Sequence, residues 1–476
     1  MQLFDFVKYE KCTACITEDG RQYTYGELER MCREFGQYVS GRSLLFIVCS
    51  NKMGTLIGYL SAMKNGHVPL LLGKDMALTD MRKLCEEYTP SYLWMPEEMA
   101  DMWDADVVWK NWDYVLVRSR YQAPVLHKDL ALLLPTSEST GNSKMVRLSH
   151  GNLLANTKSI CQYLGITKDE RAITTLPMNY TYGLSVIHTH LHKGATLLLT
   201  ERSVLDKSFW DFFRKWESSS MSGVPYTYEM LRLGGFSSMQ LPSLKTMTQA
   251  GGKLKERERR YFSEYATQKG IHLYIMYGQT EATARMSYLS PELVGTHGAS
   301  IGKAIPGGRL SIQDETGKEL KPYEQGELVY EGANVMLGYA TGKKDLVLGD
   351  VMHGKLRTGD LGYQDEEGLC YIEGRKTRFV KICGRRMNLD DIEEYLSVGL
   401  GREIRCMEVM EQVGIVYEGE TADGAFVEMI RNTLYDKYRI PKNQMVVHCV
   451  WEIPHLVSGK VDYGILQMKL YELIYE

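Results

Sequence analysis

The sequence predicts an α/β fold, and three features of the chain indicate it. Short apolar runs alternate with segments of helical spacing through most of the length. Polar, glycine-containing loops follow several of these runs. After about residue 300 the strands become shorter and glycine turns more frequent, and near Arg375 a strand–turn–helix pattern begins. We expect a large N-terminal domain of layered α/β subdomains with a β-barrel-like subregion over 1–374, and a small C-terminal α+β domain over 375–476.

The predicted elements follow this rhythm along the chain. Residues 24–39 have the apolar spacing of a helix, and residues 43–50 form an apolar run typical of a buried strand. Further strands are predicted over residues 68–73, 195–200 and 271–278, and shorter strands separated by glycine turns are predicted within 326–340 and 361–375. The C-terminal part opens over 378–396 with a strand, a glycine turn and a helix, in which Asp390 and Glu393 fit a capping box.

Composition and charge restrict the class of protein. The chain has 476 residues, 44% of them hydrophobic, which is enough for more than one core. Its net charge of -4 gives no attraction to nucleic acid or to an anionic membrane, so a small molecule or a protein is the expected partner. The longest apolar runs, such as 44–48, are too short to span a bilayer, and the start resembles no secretory signal. We therefore expect a cytoplasmic protein whose ten cysteines are free thiols.

A loop rich in hydroxyl groups follows the apolar run that ends at residue 135. It reads TSESTGNSK over residues 136–144. Backbone N–H groups in such a turn can surround phosphate oxygens, and a lysine adds positive charge. By itself the pattern fits a surface loop equally well. The residues expected to contact phosphate are Thr136, Ser137, Ser139, Thr140, Gly141 and Lys144.

Six further motifs follow that loop in a fixed order. They are YGQTE at 277–281, GEL at 326–328, TGDL at 358–361, GR at 374–375, GR at 384–385 and SGK at 458–460. Together these motifs resemble the acyl-adenylate-forming superfamily, which includes acyl-CoA synthetases, adenylation domains of peptide synthetases and luciferases. The resemblance covers nearly the whole chain, from residue 24 to the helix after Lys460.

The resemblance implies a two-step reaction and a mobile C-terminal domain. In the first step a carboxylate attacks the α-phosphate of ATP, which forms an acyl-AMP and releases pyrophosphate. In the second step a thiol displaces AMP. An anion must approach a polyanion in the first step, so positive charge and oriented donors are required. The cofactors implied are ATP and Mg²⁺, and the implied acceptor is coenzyme A or a phosphopantetheine carried by an acyl carrier protein.

The resemblance also implies a role for each catalytic residue. Lys460 would bridge the reacting carboxylate and the α-phosphate. The attraction between its ammonium and one anionic group is about 4 kcal/mol at a separation of roughly 4 Å and an effective dielectric constant of about 20. Asp360 would accept hydrogen bonds from both ribose hydroxyls, and Arg375 would reach the same sugar. Thr280 would hydrogen-bond the α-phosphate, and Glu281 would hold Mg²⁺.

Further residues are assigned to the base and the metal in the same way. Tyr277, with Gly278 beside it, would lie along the adenine. Gly251 and Gly252 would let the backbone approach the base closely. Thr136 would be a second ligand of Mg²⁺.

Two residues are assigned to the acid. Tyr180 matches the aromatic residue that the family places at the acid's carboxylate end, although an ordinary core role is equally compatible with the sequence. Gly183 lies in the stretch Tyr-Gly-Leu-Ser that matches the F-D-x-S pattern, whose aspartate holds the α-ammonium in amino-acid-activating members. No counter-ion for an ammonium is supplied here, so the expected substrate is an aliphatic or aromatic acid without an α-amino group. An amine is a more distant alternative as the acyl acceptor.

Two departures from the family pattern bear on activity. Glu138 stands where the family has glycine, which would strain the turn by about 1–2 kcal/mol if a positive φ is needed there, and its charge would repel phosphate. The alternative function is therefore a non-catalytic homologue that binds a nucleotide or acyl-adenylate and is impaired by Glu138. Thr377 occupies the hinge position, where Asp or Lys is common.

Three alternating histidines suggest a metal site at first reading. His188, His190 and His192 occur within five residues, but only His188 and His192 share a helix face. No acidic residue or cysteine falls among them, so helix-surface or pocket-wall histidines are the favoured interpretation over zinc.

Overall fold

A computed structural model describes residues 3–103, 106–135, 144–376, 378–382, 385–410, 412–456 and 460–475. The chain divides into two compact units. The first contains Met1–Leu310 and Tyr330–Leu356, and the second contains Ser311–Val329 and Arg357–Glu476. The domain boundary expected between residues 374 and 375 stays a prediction.

The strands of the described residues are, in chain order, β1 Thr13–Ile16, β2 Gln22–Thr24, β3 Leu44–Cys49, β4 Val68–Gly73, β5 Tyr92–Pro96, β6 Asp106–Asn111, β7 Tyr114–Arg118, β8 Leu130–Pro135, β9 Met145–Ser149, β10 Arg171–Ile173, β11 Thr196–Leu198, β12 Ser220–Gly223, β13 Thr246–Gln249, β14 His272–Tyr277, β15 Ser287–Leu289, β16 Lys303–Ala304, β17 Gly308–Gln313, β18 Gly326–Gly332, β19 Gly338–Ala340, β20 Lys355–Gln364, β21 Cys370–Arg375, β22 Phe379–Ile382, β23 Arg385–Asn388, β24 Ile404–Val409, β25 Gln412–Glu418 and β26 Met445–Val450.

The α-helices of the same residues are α1 Tyr25–Gly36, α2 Met53–Lys64, α3 Leu78–Tyr88, α4 His150–Tyr163, α5 Thr181–Lys193, α6 Lys207–Lys215, α7 Pro225–Leu233, α8 Glu256–Lys269, α9 Pro291–His297, α10 Leu389–Leu400, α11 Gly424–Tyr438 and α12 Tyr463–Tyr475. Within the described part of the chain, no helix combines the length and the apolar character that a bilayer span requires.

Two large sheets form the first unit. One has eight strands in the order β19-β9-β8-β4-β3-β5-β7-β6, and the other has nine in the order β16-β15-β14-β13-β12-β10-β11-β1-β2. The central pairs β3·β4, β3·β5 and β4·β8 of the first sheet are parallel, as are the pairs from β10 to β14 in the second. Strands β3 and β4 are almost entirely buried, which explains why they read as continuous apolar runs instead of alternating ones.

Smaller sheets make up the rest of the fold. A four-stranded sheet has the order β17-β18-β20-β21, β22 and β23 form an antiparallel pair, and β24, β25 and β26 form a three-stranded sheet. Apolar side chains from α10, α11 and the three-stranded sheet pack into one core, and α12 contributes to a second. This C-terminal arrangement is the α+β architecture that the sequence predicts.

The predicted fold class is confirmed, together with most of its individual elements. The helix expected over 24–39 is α1, whose N-cap Thr24 forms a capping box with Glu27. The strands expected at 43–50, 68–73, 195–200 and 271–278 are β3, β4, β11 and β14. The part of the chain expected to be barrel-like contributes the four strands of the sheet β17-β18-β20-β21.

The capping box predicted for α10 is wrong. Asn388 is the N-cap, and its side chain accepts a hydrogen bond from the backbone N–H of Asp390. Asp390 and Glu393 instead bind the guanidinium of Arg378. Glu393 also accepts hydrogen bonds from the Tyr463 hydroxyl, at 2.9 and 3.0 Å. The physical reason is that the charged, partly buried guanidinium of Arg378, which directly precedes β22, binds these carboxylates more strongly than a backbone N–H can.

Candidate active site

The loop between β14 and β15 carries the YGQTE motif in a tightly packed conformation. A Cβ on Gly278 would lie 1.8 Å from the carbonyl oxygen of Ala284, so only glycine fits there. A short 3₁₀ turn follows over Thr280–Ala282. Thr283 and Ala284 then have φ angles of 60° and 110°, values that L-residues adopt only where surrounding contacts hold them.

Asn334 is the residue that holds this loop. It is buried, and its Nδ2 donates to the carbonyl oxygens of Ala282 at 2.7 Å and Arg285 at 3.1 Å. Its own carbonyl oxygen accepts from the Thr283 hydroxyl at 2.6 Å, and its Oδ1 accepts from the Tyr330 hydroxyl at 2.8 Å. One asparagine therefore donates hydrogen bonds to the residues on both sides of the strained pair Thr283 and Ala284.

Glu281 and Lys144 are both in contact with Tyr339. The Tyr339 hydroxyl donates to Glu281 Oε1 at 2.8 Å, and the Lys144 Nζ lies 5.7 Å from the centroid of the same ring. Arg147, fully buried on β9, donates from Nε to the Tyr339 carbonyl oxygen at 3.0 Å and fixes the strand. Among the described residues, no lysine or arginine forms an ion pair with Glu281, so its negative charge is available to a cation such as Mg²⁺.

Thr280 contacts the start of helix α5, next to Tyr180 in the chain. The hydroxyl of Thr280 is 2.9 Å from that of Thr181, the first residue of α5. Tyr180 is the N-cap of that helix and is partly buried. Burial raises the pKa of Tyr180 to about 12, so the phenol stays protonated at neutral pH and can donate a hydrogen bond to a carboxylate.

The predicted glycines lie close to other parts of the first unit. Gly251 has a φ of 85°, and a Cβ there would be 2.6 Å from the Tyr180 hydroxyl. Gly252 lies against Pro225, and a Cβ on Gly183 would be 2.4 Å from the Pro177 carbonyl oxygen. The structure thus brings Gly251 and the Tyr180 hydroxyl together.

Tyr277 ends β14 and is half-buried. Its hydroxyl accepts a hydrogen bond from Gln279 Nε2 at 3.3 Å, and its carbonyl oxygen accepts from the Met286 N–H at 2.9 Å. The loop therefore closes on the tyrosine at which it starts.

In the second unit, Asp360 and Arg375 are opposed across the antiparallel pair β20·β21. The Nε of Arg375 lies 3.2 Å from Oδ1 of Asp360. The aspartate side chain is only 4% exposed, whereas that of the arginine is 37% exposed. The backbone N–H of Asp360 donates to the Thr358 hydroxyl, at 3.1 Å. The pair is thus held in place on rigid strands, with one carboxylate and one guanidinium side by side.

Lys460 lies in a loop of the second unit just before α12. Its carbonyl oxygen accepts from the Leu456 N–H at 2.7 Å, and His455 bridges to Val461 in an antiparallel sense. The lysine side chain is partly buried. Its catalytic role stays a prediction.

Part of the predicted site lies outside the described residues. This holds for Thr136, expected to bind the metal, for Glu138, for Thr377 at the expected hinge, and for the phosphate-loop residues Ser137, Ser139, Thr140 and Gly141.

The three histidines of α5 each bind a different protein group. His188 is buried, and its Nε2 lies 2.6 Å from the Tyr59 hydroxyl; burial lowers the pKa of His188 to about 3. His190 Nδ1 lies 2.9 Å from the Val186 carbonyl oxygen, and His192 Nδ1 lies 2.8 Å from that of Leu3. In the described part of the chain, no cluster of metal-binding side chains is found.

Sequence reasoning did not find Thr181, Arg285, Asn334 and Tyr339. Asn334 and Tyr339 occur in the stretch ANVMLGYA, which the sequence analysis treats only as short strands. An asparagine beside an apolar run could have indicated a structural role for Asn334, because a buried amide needs hydrogen-bond partners. For Arg285, the signal was an arginine four residues after Glu281 within the apolar surroundings of β14 and β15.

The two layered sheets and their flanking helices define an α/β fold. The chain belongs to the AMP-binding enzyme family, whose sequence model matches residues 6–340. It is 28% identical over 456 residues to an indoleacetate–CoA ligase of Aromatoleum aromaticum, covering 89% of this chain and 87% of that protein. It is 27% identical over 373 residues to a 2-succinylbenzoate–CoA ligase of Bacillus cytotoxicus, covering 75% and 73%.

Solved structures share the fold. The o-succinylbenzoate CoA synthetase of Bacillus subtilis in complex with its acyl-adenylate intermediate has a TM-score of 0.76 at 21% identity, covering 96% of this chain and 95% of that one. The same synthetase with ATP and a magnesium ion gives a TM-score of 0.76 at 21% identity, with coverage of 97% and 96%.

We predict that Asn334→Ala lowers the free energy of unfolding by about 2–4 kcal/mol, because the buried Ala282 carbonyl group and the Tyr330 hydroxyl lose their partner, whereas the Arg285 carbonyl oxygen keeps a hydrogen bond from Asn156. Denaturant titration followed by fluorescence measures the loss. Asn111→Ala, at an exposed asparagine, is the control and is expected to change it by less than about 0.5 kcal/mol. Equal effects of the two substitutions would contradict the role assigned to Asn334.

Proposed function

We propose that this protein is an ATP- and Mg²⁺-dependent carboxylic acid ligase. A carboxylate oxygen of the acid attacks the α-phosphorus of ATP, and the bond to pyrophosphate breaks, which gives an acyl-AMP. A pantetheine thiol then attacks the acyl carbon, and AMP leaves with the oxygen that came from the acid. The thiol proton is released, so the products are a thioester, AMP and pyrophosphate.

The observation that carries the proposal is the arrangement of Thr280, Glu281 and Tyr180 in the first unit. Thr280 contacts the first residue of α5, and Tyr180 precedes that residue. A hydroxyl for a phosphate, a carboxylate for a metal and a neutral phenol for an acid therefore belong to one connected part of the fold. These are the groups that the first step requires.

The residues present fit a magnesium ion bound together with ATP. Magnesium prefers few protein carboxylates and takes its other ligands from phosphate oxygens and water. Glu281 would hold it, with Thr136 as a second ligand, and the ion would neutralise charge that develops on the phosphates. The fixed orientation of Glu281 comes from the Tyr339 hydroxyl, at 2.8 Å.

The residues of the second unit have complementary roles in this proposal. Asp360 would accept hydrogen bonds from the ribose hydroxyls, with Arg375 beside it. Their 3.2 Å separation supports this role, because the guanidinium orients the carboxylate. Lys460 would supply the positive charge between the acid and the α-phosphate, on a C-terminal domain of residues 375–476 that moves between the two steps.

The adenine and phosphate contacts complete the nucleotide site. Tyr277 and Gly278 would border the base on one side, and Gly251 and Gly252 on the other. The positive φ of Gly251 and the close packing of Gly278 against Ala284 show that both positions require glycine. Lys144 would contact the phosphates together with the loop of residues 136–141.

The proposed substrate is an acid without an α-amino group, and the proposed acceptor is coenzyme A, with an acyl carrier protein as the alternative. The names of the two relatives both specify an aromatic acid and CoA. Gly183 offers no carboxylate to an ammonium ion. A cytoplasmic location belongs to the same proposal, and the nine described cysteines, all free thiols, are compatible with a reducing compartment.

The proposal is tested by pyrophosphate release with a panel of aromatic and aliphatic acids, followed by mass analysis of the thioester after coenzyme A is added. We expect acid-dependent release by the unmodified protein. In Lys460→Ala the rate should fall about 10²–10³-fold, because roughly 4 kcal/mol of charge stabilisation is lost.

Lys437→Ala is the matched control, since this lysine is exposed on α11 of the same unit. Its rate should equal that of the unmodified protein. A Lys460→Ala variant that keeps its melting temperature and its full rate would contradict the assigned role.

We predict strong discrimination against an α-amino group. Phenylpropionate and L-phenylalanine differ only by that group, and kcat/KM for pyrophosphate release should be at least about 100-fold higher for phenylpropionate. The reason is that an ammonium ion would lose its hydration without gaining a counter-ion. Comparable kcat/KM values for the two acids would show that another carboxylate serves the ammonium.

A further inference from the structure

Glu393 on α10 is the centre of a cluster of charged and polar side chains in the second unit. Only 16% of its side chain is exposed. Its Oε2 lies 2.9 Å from Nη2 of Arg378 and accepts a hydrogen bond from the backbone N–H of Cys406, also at 2.9 Å. Its Oε1 lies 3.6 Å from Nη1 of Arg405, and the Tyr463 hydroxyl donates to both carboxylate oxygens at 2.9 and 3.0 Å. One carboxylate therefore joins α10, β24, the residue before β22 and the start of α12.

Arg378 strengthens the same connections. Its guanidinium carbon lies 4.0 Å from the centroid of the Tyr463 ring, so the ring packs against the cation. Its Nη2 also donates to the carbonyl oxygen of Cys406 at 3.1 Å, and its Nε binds Asp390. Arg378, Glu393 and Tyr463 therefore contact one another pairwise, and we call these three residues the Glu393 cluster.

The Glu393 cluster connects two apolar cores of the second unit. Ile382 of β22 and Ile392 of α10 belong to the first core. Leu466 of α12 belongs to the second core, and Tyr463 packs against it. Buried ion pairs add little stability compared with apolar contacts, but their directional bonds fix the groups they join in one arrangement. The cluster is therefore suited to holding α12 in a fixed position relative to β22 and α10.

The loop that carries Lys460 is attached directly to the start of α12. The N–H of Leu456 donates to the Lys460 carbonyl oxygen at 2.7 Å, and the N–H of Asp462 donates to the Pro454 carbonyl oxygen at 2.8 Å. These two hydrogen bonds close the loop across its base. Tyr463, the first residue of α12, follows that base immediately. Contacts that fix Tyr463 therefore also fix the direction in which the loop leaves the helix.

We propose that Arg378, Glu393 and Tyr463 are positioning residues for Lys460. This inference rests on the proposed function, because it takes Lys460 as the catalytic cation and Thr377 as the pivot of the C-terminal domain. A rotation about Thr377 carries Lys460 to one defined point only if the Lys460 loop is rigid relative to the residue that follows the pivot. Arg378 is that residue, and it reaches the start of α12 both directly, through the Tyr463 ring, and through the Glu393 carboxylate.

The competing explanation is that the Glu393 cluster only stabilises the fold of the second unit. That explanation predicts that loss of one hydrogen bond lowers the melting temperature and leaves the rate constant of the folded protein unchanged. A positioning role predicts the opposite combination, because a small displacement of a catalytic group lowers the rate constant more than it lowers stability. The rate constant of the first step and the melting temperature therefore separate the two explanations.

The test is Tyr463→Phe in the full-length protein, which removes the hydroxyl and keeps the ring that packs against Arg378. We expect the maximal rate constant for pyrophosphate release in the first turnover to fall by about 10- to 100-fold. The ATP concentration at half the maximal rate should change by less than about twofold, since the proposed ribose-binding residues Asp360 and Arg375 are unaltered. The melting temperature should fall by less than about 4 °C. Tyr435→Phe, at an exposed tyrosine of α11 in the same unit, is the control and should keep all three values.

Hydrogen exchange at the Leu456 and Asp462 amides separates a failure of this inference from a failure of the proposed function. Both amides are hydrogen-bonded across the base of the Lys460 loop, so their exchange rates report how firmly the loop is held. If no acid supports pyrophosphate release, the proposed reaction is wrong, and exchange about tenfold faster in Tyr463→Phe than in Tyr435→Phe would still establish that the cluster holds the loop. Equal exchange at both amides in the two variants would overturn the inference. So would an unchanged first-turnover rate constant in Tyr463→Phe, or a fall in rate that only matches the fraction of unfolded protein.

Discussion

The packing of the loop between β14 and β15 is the constraint on which the rest of the site depends. Gly278 leaves no space for a side chain against the Ala284 carbonyl oxygen, and Thr283 and Ala284 have positive φ angles. Such a conformation persists only because its surroundings determine it, and Asn334 supplies that determination through its amide and its carbonyl oxygen. Thr280, Glu281 and Arg285 all project from this one segment.

Electrostatics explains why so rigid a loop is useful. Joining an acid to ATP brings negative charges together, so the protein must supply positive charge at fixed places. Carboxylates of its own near the phosphates are unfavourable unless they bind a cation or a ligand hydroxyl. Glu281 is held by Tyr339, and Asp360 is held beside Arg375.

Local sequence patterns predicted the elements well, because β3, β4, β14 and α1 are encoded by the periodicity of their own residues. The buried strands and the capped helix need no distant partner to be identified. The roles of Asp360 and Arg375 came from the resemblance and stay predictions; the structure shows the two side chains 3.2 Å apart. The capping box at Asp390 failed, since local spacing does not show that Arg378 competes for the same carboxylates. Asn334 and Tyr339 were missed for a related reason: each acts on residues more than fifty positions earlier in the chain, and a single sequence contains no record of such contacts.

The central claim is that the acid itself attacks the α-phosphorus of ATP. The most direct measurement supplies an acid that carries oxygen-18 in its reacting carboxylate, together with ATP, Mg²⁺ and coenzyme A, and determines the mass of the AMP produced. The account predicts that each AMP gains one labelled oxygen, because the bond between that oxygen and phosphorus survives thioester formation. Unlabelled AMP, or label found in inorganic phosphate, would contradict it.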